Sequence, residues 1–222
     1  MNVFDALRAD RVAAVLRGSS IPNPAKLADA LALGGVRCVE FTFTIPDVVG
    51  VIKAAATSAH ALIGAGTVLT PEQAERAIEA GATFVVSPAC RPQLVDVCRS
   101  AGVPIFLGAL TPSEVADAVD AGATAIKIFP AGLGGPSYIK DLAGPFPDAI
   151  FIPSGGVNEE NAGEYFDAGC PAVYAGSRLA PPDVIASGDY EDIRRKAHRF
   201  VSALNGHHSN RPVGGGRSSR LP

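Results

Sequence analysis

The sequence lacks the excess of positive charge expected of a protein that binds nucleic acid or an anionic membrane surface. Its 222 residues include 19 Lys and Arg against 22 Asp and Glu, a formal net charge of −3. Either partner usually requires a basic face. No apolar run approaches the roughly 18 residues of a membrane span, and the acid-bearing N-terminus has no apolar signal core. We therefore expect a cytoplasmic protein with no nucleic-acid or membrane partner.

Patterns that bind metals or form disulfide frameworks are also missing. The four cysteines form no CxxC pair and are spread along the chain, at Cys38, Cys90, Cys98 and Cys170. The first lies in a strand-like run and the second and third on one predicted helix, which favours buried free thiols in a reducing compartment. The four histidines are assigned to predicted helices or to the C-terminal tail: His60, His198, His207 and His208. We therefore expect neither a metal nor a cofactor.

A repeated unit runs along the chain, in which a helix ends at an Ala-Gly or Gly-Gly pair and a short apolar strand follows. It occurs as ALGGVRCVEF, EAGATFVVSP, SAGVPIFLGA, DAGATAIKIFP and DAGCPAVYAGS. Glycine just after the last helical turn is a common helix terminator, because it adopts positive φ at little cost. A strand that is apolar on both faces is typical of a parallel sheet covered by helices.

The repeat predicts eight strands, at residues 12–17, 38–43, 62–67, 84–88, 104–109, 125–129, 150–154 and 172–177. Thr70 and Thr111, each followed by proline and then an acid in the first turn, are predicted helix caps. Eight uninterrupted strand–helix units favour a single α/β domain, a (β/α)8 TIM barrel with an N-terminal helix, over an open sheet. A Rossmann fold is excluded because no GxGxxG follows the first strand. The domain is expected to span residues 1–204 with a closing helix at 190–204, followed by a disordered Gly/Ser/Arg-rich tail at 205–222.

One lysine differs from the other four. Lys26, Lys53, Lys140 and Lys196 fall on predicted helices, whereas Lys127 lies inside a strand, in Ala-Ile-Lys-Ile-Phe-Pro. Apolar burial can lower a lysine pKa by up to about 3–5 units because the ammonium loses its hydration. The neutral amine that results is a nucleophile for a ketone. An ion pair with a buried carboxylate is the alternative.

Glu40 is the only acid inside any predicted strand. Buried carboxylates are rare unless they are paired or functional. Next to Lys127, Glu40 is predicted to act as general acid/base, and a plain salt bridge is the alternative. Strand alternation adds expectations: Ala125 and Phe129 would face the interior with Lys127, Cys38 and Thr42 with Glu40, Val15 with Arg17, and Ala65 with Thr67.

The remaining polar strand ends predict an anionic ligand. Arg17 and Thr67 end the first and third strands, where a cation and a hydroxyl can hold the carboxylate of a keto acid, although a solvated loop arginine also explains Arg17. Ser154-Gly155-Gly156 and Gly176-Ser177 end the last two strands. Barrels frequently bind phosphate with these two loops, through exposed backbone N–H groups.

These residues lie in segments that resemble the 2-keto-3-deoxy-6-phosphogluconate (KDPG) aldolase and 4-hydroxy-2-oxoglutarate (KHG) aldolase family. The segments follow family order over residues 3–204 and include VAAVLRG (12–18), GGVRCVEFTFTIPD (34–47), IGAGTVL (63–69), VSP (86–88), IKIFPA (126–131), GPFP (144–147), PSGGV (153–157) and AGS (175–177). The resemblance implies a metal-independent lyase that cleaves KDPG to pyruvate and glyceraldehyde 3-phosphate, or KHG to pyruvate and glyoxylate. Members typically form homotrimers.

The resemblance also implies residue roles. Lys127 would form the Schiff base and Glu40 would transfer protons. Thr67 would bind the pyruvate carboxylate, the Pro88 and Phe129 neighbourhoods would line the pocket, and the phosphate would be held by Gly155, Gly156, Gly176 and Ser177.

Two departures from the family pattern bear on specificity. Thr44 stands where some members have an arginine for the substrate carboxylate, so Arg17 becomes the candidate because VLRG resembles another branch of the family. Ser154 replaces a threonine that often precedes the paired glycines. A 2-keto-3-deoxy-6-phosphogalactonate aldolase is therefore an alternative. A phosphate-binding barrel isomerase or decarboxylase, a metal-dependent pyruvate aldolase and a non-catalytic sugar-phosphate-binding protein are further alternatives, disfavoured because only Glu40 and Lys127 lie inside strands.

Overall fold

Eight short parallel strands form the centre of the computed structural model, which describes residues 2–206. The strands are β1 (Val12–Leu16), β2 (Cys38–Thr42), β3 (Leu62–Gly66), β4 (Phe84–Val86), β5 (Ile105–Ala109), β6 (Ala125–Ile128), β7 (Phe151–Pro153) and β8 (Val173–Ala175). Each overlaps a predicted strand, so the eight predictions are confirmed to within about two residues at either end. Their order in the sheet is β7-β6-β5-β4-β3-β2-β1-β8.

In the described residues, ten α-helices surround the sheet. They are α1 (Val3–Asp10), α2 (Pro24–Leu33), α3 (Val48–Ala55), α4 (Pro71–Glu79), α5 (Gln93–Ser100), α6 (Pro112–Ala121), α7 (Gly135–Ala143), α8 (Ala162–Asp167), α9 (Pro182–Ser187) and α10 (Tyr190–Gly206). The predicted caps are confirmed: Thr70 accepts a hydrogen bond from the Gln73 N–H, and Thr111 forms a reciprocal capping box with Glu114. The sheet and helices together form a (β/α)8 barrel with an additional N-terminal helix.

The barrel has one open seam. Seven neighbouring strand pairs form parallel ladders, while β7 and β8 lie side by side without a ladder between them in residues 2–206. The loops that follow these two strands therefore flank the seam at its C-terminal end. Barrel enzymes place their chemistry at that end.

Successive side chains along each strand point alternately outward and inward. The outward group packs against the helices, and the inward group fills the barrel interior with Ala13, Cys38, Phe84, Phe106 and Tyr174. Helix α1 closes the N-terminal end, where Val3, Ala6 and Leu7 join the interior group. The molecule therefore has an apolar interior, which α1 closes at the N-terminal end of the barrel.

The alternation confirms most of the predicted inward side chains and contradicts one. Val15, Cys38 and Ala125 belong to the interior group, whereas Ala65 packs outward against the helices. The prediction for Ala65 was wrong because it was counted back from Thr67, whose φ of 57° departs from strand geometry. On β3 the glycines on either side of Ala65 face the interior instead.

Other corrections are local. His60 and Cys90 lie in loops rather than on the predicted helices, and Cys90 is only half-buried, while the other three cysteines are buried. The closing helix α10 extends to Gly206, so it includes two residues that were assigned to the tail. The rest of the predicted tail, residues 207–222 with His207 and His208, lies outside the described residues. Within the described part, no helix is both long and apolar enough to cross a membrane.

Candidate active site

Lys127 and Glu40 meet inside the barrel. Lys127 on β6 is 2% exposed and Glu40 on β2 is fully buried, and Nζ lies 3.8 Å from Oε1. That separation exceeds an ordinary hydrogen bond, and neither Glu40 oxygen has a hydrogen-bond partner among the described residues. The other four lysines lie on helices, as expected. The described interior therefore places an amine and a carboxyl group close together without a hydrogen bond between them. Either group is thus available to exchange protons with a bound substrate.

Burial disfavours the charged form of both groups. The loss of hydration lowers the pKa of Lys127 below its ordinary value of 10.5, against the opposing charge of Glu40. Burial likewise raises the pKa of Glu40 above 4.5, while Lys127 and Arg17 oppose the rise. The arrangement can thus supply an uncharged amine and a protonated acid, which a tight salt bridge would not.

Two aromatic rings flank the amine. Lys127 Nζ lies 4.9 Å from the ring centroid of Tyr174 on β8 and 5.8 Å from that of Phe129, the residue after β6. Both rings also line a cavity of about 310 Å³ that opens at the seam between β7 and β8. The amine therefore lies just beneath the floor of a cavity large enough for a small ligand.

The cavity brings together seven of the eleven predicted site residues: Arg17, Phe129, Ser154, Gly155, Gly156, Gly176 and Ser177. Arg17 stands at the mouth with its side chain exposed, and its charge acts on both Glu40 and Lys127. Thr44 is exposed and its hydroxyl is hydrogen-bonded to that of Thr42 at 2.7 Å. At this mouth a positive charge is thus supplied by Arg17, directly after β1, and not by Thr44 after β2.

The glycine loops are shaped to expose backbone donors. Gly155 and Gly156 have φ of 84° and 80°, in the left-handed region that glycine adopts without strain. Within residues 2–206, the N–H groups of these glycines and of Gly176 and Ser177 donate no hydrogen bond to protein. Unpaired N–H groups from two adjacent loops can hold an anion such as phosphate.

The predicted residues Thr67 and Pro88 lie beside the buried pair rather than on the cavity wall. The Thr67 hydroxyl is buried and has no hydrogen-bond partner in the described chain, and its positive φ is uncommon for a β-branched residue. Backbone atoms of Pro88 pack against Gly108, which pairs with Lys127 in the ladder between β5 and β6. Thr67 follows β3 and Pro88 lies just after β4, so both are at the C-terminal end of the barrel, on the side formed by β3 to β5.

Tyr174 and Arg178 also line the cavity, and the sequence prediction missed both. Counting alternate positions back from Gly176 would have placed Tyr174 inward. Arg178 directly follows the Ala-Gly-Ser segment, and its Nε lies 3.6 Å from an oxygen of Glu159 at the cavity rim. Among the described residues, no three His, Cys, Asp or Glu side chains are grouped closely enough to hold a metal ion.

The comparison with known proteins agrees with this geometry. The sequence matches the family model for KDPG and KHG aldolases over residues 3–196. The 2-dehydro-3-deoxy-phosphogluconate aldolase of Treponema pallidum (strain Nichols) is 38% identical over 195 residues, 87% of this chain and 93% of that protein.

Two solved structures are similar over nearly the whole chain. A structure described as native KDPGal is 32% identical with a TM-score of 0.81, covering 89% of this chain and 96% of its own. A KDPG aldolase from Legionella pneumophila, with pyruvate captured at low pH as a covalent carbinolamine intermediate, is 29% identical with a TM-score of 0.82, covering 90% of this chain and 98% of its own. With the family model matching most of its length, this chain belongs to the KDPG and KHG aldolase family.

Proposed function

We propose that this protein is a Schiff-base aldolase that cleaves KDPG to pyruvate and glyceraldehyde 3-phosphate without a metal. The observation that carries the proposal is the buried Lys127 amine, 3.8 Å from the Glu40 carboxyl and beneath a cavity bordered by Arg17 and the glycine loops. Cleavage of KHG to pyruvate and glyoxylate needs the same chemistry at the amine and no phosphate, so it is proposed as a second activity.

The first stage joins Lys127 to the substrate. The neutral amine attacks the C2 ketone, a nitrogen–carbon bond forms, and the ketone oxygen takes a proton from the Glu40 carboxyl group. Glu40 then recovers a proton from the new ammonium nitrogen and passes it to the C2 hydroxyl, which leaves as water. The product is an iminium ion that can accept electrons from the C3–C4 bond.

The second stage breaks that bond. The C4 hydroxyl gives its proton to the Glu40 carboxylate, the C3–C4 electron pair moves into the iminium, and glyceraldehyde 3-phosphate leaves as the aldehyde. The enamine takes the proton back from Glu40 at C3, and water hydrolyses the iminium to pyruvate and free Lys127. The water released in the first stage is consumed here, so the reaction balances.

The cavity supports recognition of a substrate with an anion at each end. Arg17 and Thr67 would hold the carboxylate near the amine, with Phe129 as a wall of the cavity and the Pro88 loop behind it, next to β5. The N–H groups of the glycine loops, with the Ser154 hydroxyl, would hold the phosphate. Arg178 at the same rim adds a cation that can leave its long contact with Glu159 for the phosphate.

A 2-keto-3-deoxy-6-phosphogalactonate aldolase is the second candidate. The position of Arg17 at the mouth, together with the neutral Thr44, is the observation that favours it. The two substrates differ only in the configuration at C4, so comparing kcat/KM for the two epimers decides between them. We also propose that the protein is cytoplasmic, as its free cysteines favour, and that it is a homotrimer, as the family resemblance implies. Light scattering measures the number of subunits directly.

Borohydride reduction in the presence of pyruvate tests the Schiff base. We expect a stable adduct on Lys127 and none on the four helical lysines, mapped by peptide mass spectrometry. Because burial favours the neutral amine, the trapping rate should rise with pH around a midpoint below the ordinary lysine value of 10.5. No adduct, an adduct elsewhere, or a midpoint at that ordinary value would contradict the proposal. Lys127→Arg, which keeps a cation, serves as the inactive control.

A further inference from the structure

Tyr174 lies directly against the proposed reaction centre. It is 2% exposed, its ring centroid is 4.9 Å from Lys127 Nζ, and the ring forms part of the cavity wall. It is the only tyrosine in any strand of the described chain. A phenylalanine ring would fill the same space in the barrel interior, so the hydroxyl requires its own explanation.

The hydroxyl of Tyr174 is buried in the barrel interior. Burial raises the pKa of Tyr174 well above its ordinary value of 10.0, and the nearby Glu40 and Cys38 raise it further. The phenol is therefore a protonated donor in the same interior as Glu40.

The Tyr174 hydroxyl, a possible donor, and the Glu40 carboxyl group, a possible acceptor, both lack hydrogen-bond partners in the described barrel interior. Within residues 2–206, the Tyr174 hydroxyl and both Glu40 oxygens are buried without hydrogen-bond partners. Buried polar groups in native proteins nearly always have a partner, which is often an internal water. Lys127 faces only one Glu40 oxygen, at 3.8 Å. The Tyr174 hydroxyl is a buried donor available to the carboxyl group besides the Lys127 amine.

We propose that Tyr174 is a positioning residue for Glu40, to which its hydroxyl donates through one internal water molecule. The hydrogen bond holds the carboxyl group against Gly66 with Oε1 facing the amine, and it stabilises the carboxylate form that abstracts protons. The inference rests on the proposed aldolase chemistry, because it assigns a support to the acid/base of that reaction.

The charged and titratable groups that face Glu40 come from four strands. Lys127 on β6 and Arg17 after β1 favour its ionised form, whereas Tyr174 on β8 and Cys38 on β2 are neutral neighbours. If the Tyr174 hydroxyl is removed, the Glu40 carboxylate loses a hydrogen-bond donor, so the pKa of Glu40 should rise. The proposal can therefore be tested by measuring the direction of that shift.

Tyr174→Phe removes one oxygen and keeps the ring. The assay is exchange of the pyruvate methyl hydrogens in D2O, followed by NMR and normalised to the amount of Lys127 that pyruvate and borohydride can trap. Exchange needs the Glu40 carboxylate to remove a C3 proton, so its rate rises with pH through the Glu40 pKa. We expect Tyr174→Phe to slow exchange about tenfold below the midpoint and to move the midpoint up by roughly one pH unit.

The matched control is Tyr165→Phe, which removes a buried phenol outside the barrel interior and should leave the profile unchanged. Glu40→Gln should slow exchange at least about a hundredfold, to a residual rate that can still be measured, and adding Tyr174→Phe to it should cause no further loss. An unshifted midpoint in Tyr174→Phe, an equal shift in Tyr165→Phe, or an additional tenfold loss in the double variant would overturn the inference. Failure of the wild-type protein to trap any pyruvate would instead reject the aldolase function itself.

Discussion

At the scale of single residues, charge at the cavity rim should determine which end of a substrate is recognised. Arg17 and Arg178 both line the cavity together with the glycine loops, and the charge of Arg17 acts on Lys127. Arg178 is 53% exposed and makes only a long contact with Glu159, so little free energy opposes its movement toward a phosphate. Arg178 should therefore affect phosphorylated substrates and have no effect on the chemistry at Lys127.

Arg178→Gln tests this division. We expect KM for KDPG to rise about tenfold, because a charge-assisted hydrogen bond to phosphate is lost at a partly exposed site. Cleavage of KHG and trapping of pyruvate should be unchanged, since neither ligand carries a phosphate. Arg194→Gln, which removes a paired arginine from the surface of α10, is the control. An equal loss with KHG would show that Arg178 has a structural role instead.

At the scale of the elements, the sequence predicted positions better than contacts. Glycine after most of the helices and apolar residues after the glycine are local signals, so all eight strands were found. Lys127 and Glu40 could be identified because a charged residue inside an apolar strand is conspicuous. Their 3.8 Å separation depends on the stagger between β2 and β6 across the barrel, which no local pattern encodes.

Strand β3 shows where the sequence prediction failed. The inward and outward positions were counted back from Thr67. The positive φ of Thr67 breaks the strand geometry there, so the alternation of side chains does not continue from Thr67 into β3. The inward residues are Gly64 and Gly66, and glycine gives no hydropathy signal. A Cβ on Gly64 would meet the ring of Phe84, and a Cβ on Gly66 would meet the Glu40 carboxyl group. These glycines are needed for the space they leave, a property that is visible only in three dimensions.

Gly66→Ala should therefore impair β3 as the support for Glu40. The new methyl group would overlap Oε1 of Glu40, so the carboxyl group must move. We expect methyl exchange of pyruvate to fall at least tenfold and the free energy of unfolding to fall by about 1–3 kcal/mol, as in an overpacked core. Gly144→Ala, whose nearest neighbour would be 3.4 Å away, should change neither. Normal exchange in Gly66→Ala would contradict the placement of Glu40.

At the scale of the whole molecule, α1 closes one end of the barrel over an apolar interior. Val3, Ala6 and Leu7 pack beneath the ring layer that includes Phe84, Phe106 and Tyr174. The same apolar interior disfavours the charged forms of Lys127 and Glu40. Stability and the reactivity of Lys127 should therefore both depend on this interior, but through different physical quantities. Stability should depend on how completely side chains fill the interior, and reactivity on how far burial lowers the pKa of Lys127.

Leu7→Ala separates these two quantities. Leu7 is 1% exposed, so truncation leaves a cavity, and we expect urea unfolding to show a loss of about 2–5 kcal/mol. An apolar cavity stays empty of water, so the pH midpoint for trapping pyruvate on Lys127 should not move. Leu33→Ala, at a position 59% exposed, should cost less than about 0.5 kcal/mol. A midpoint displaced toward the ordinary lysine pKa in Leu7→Ala would mean that α1 tunes the amine directly, whereas equal losses in the two variants would mean that α1 does not close the barrel.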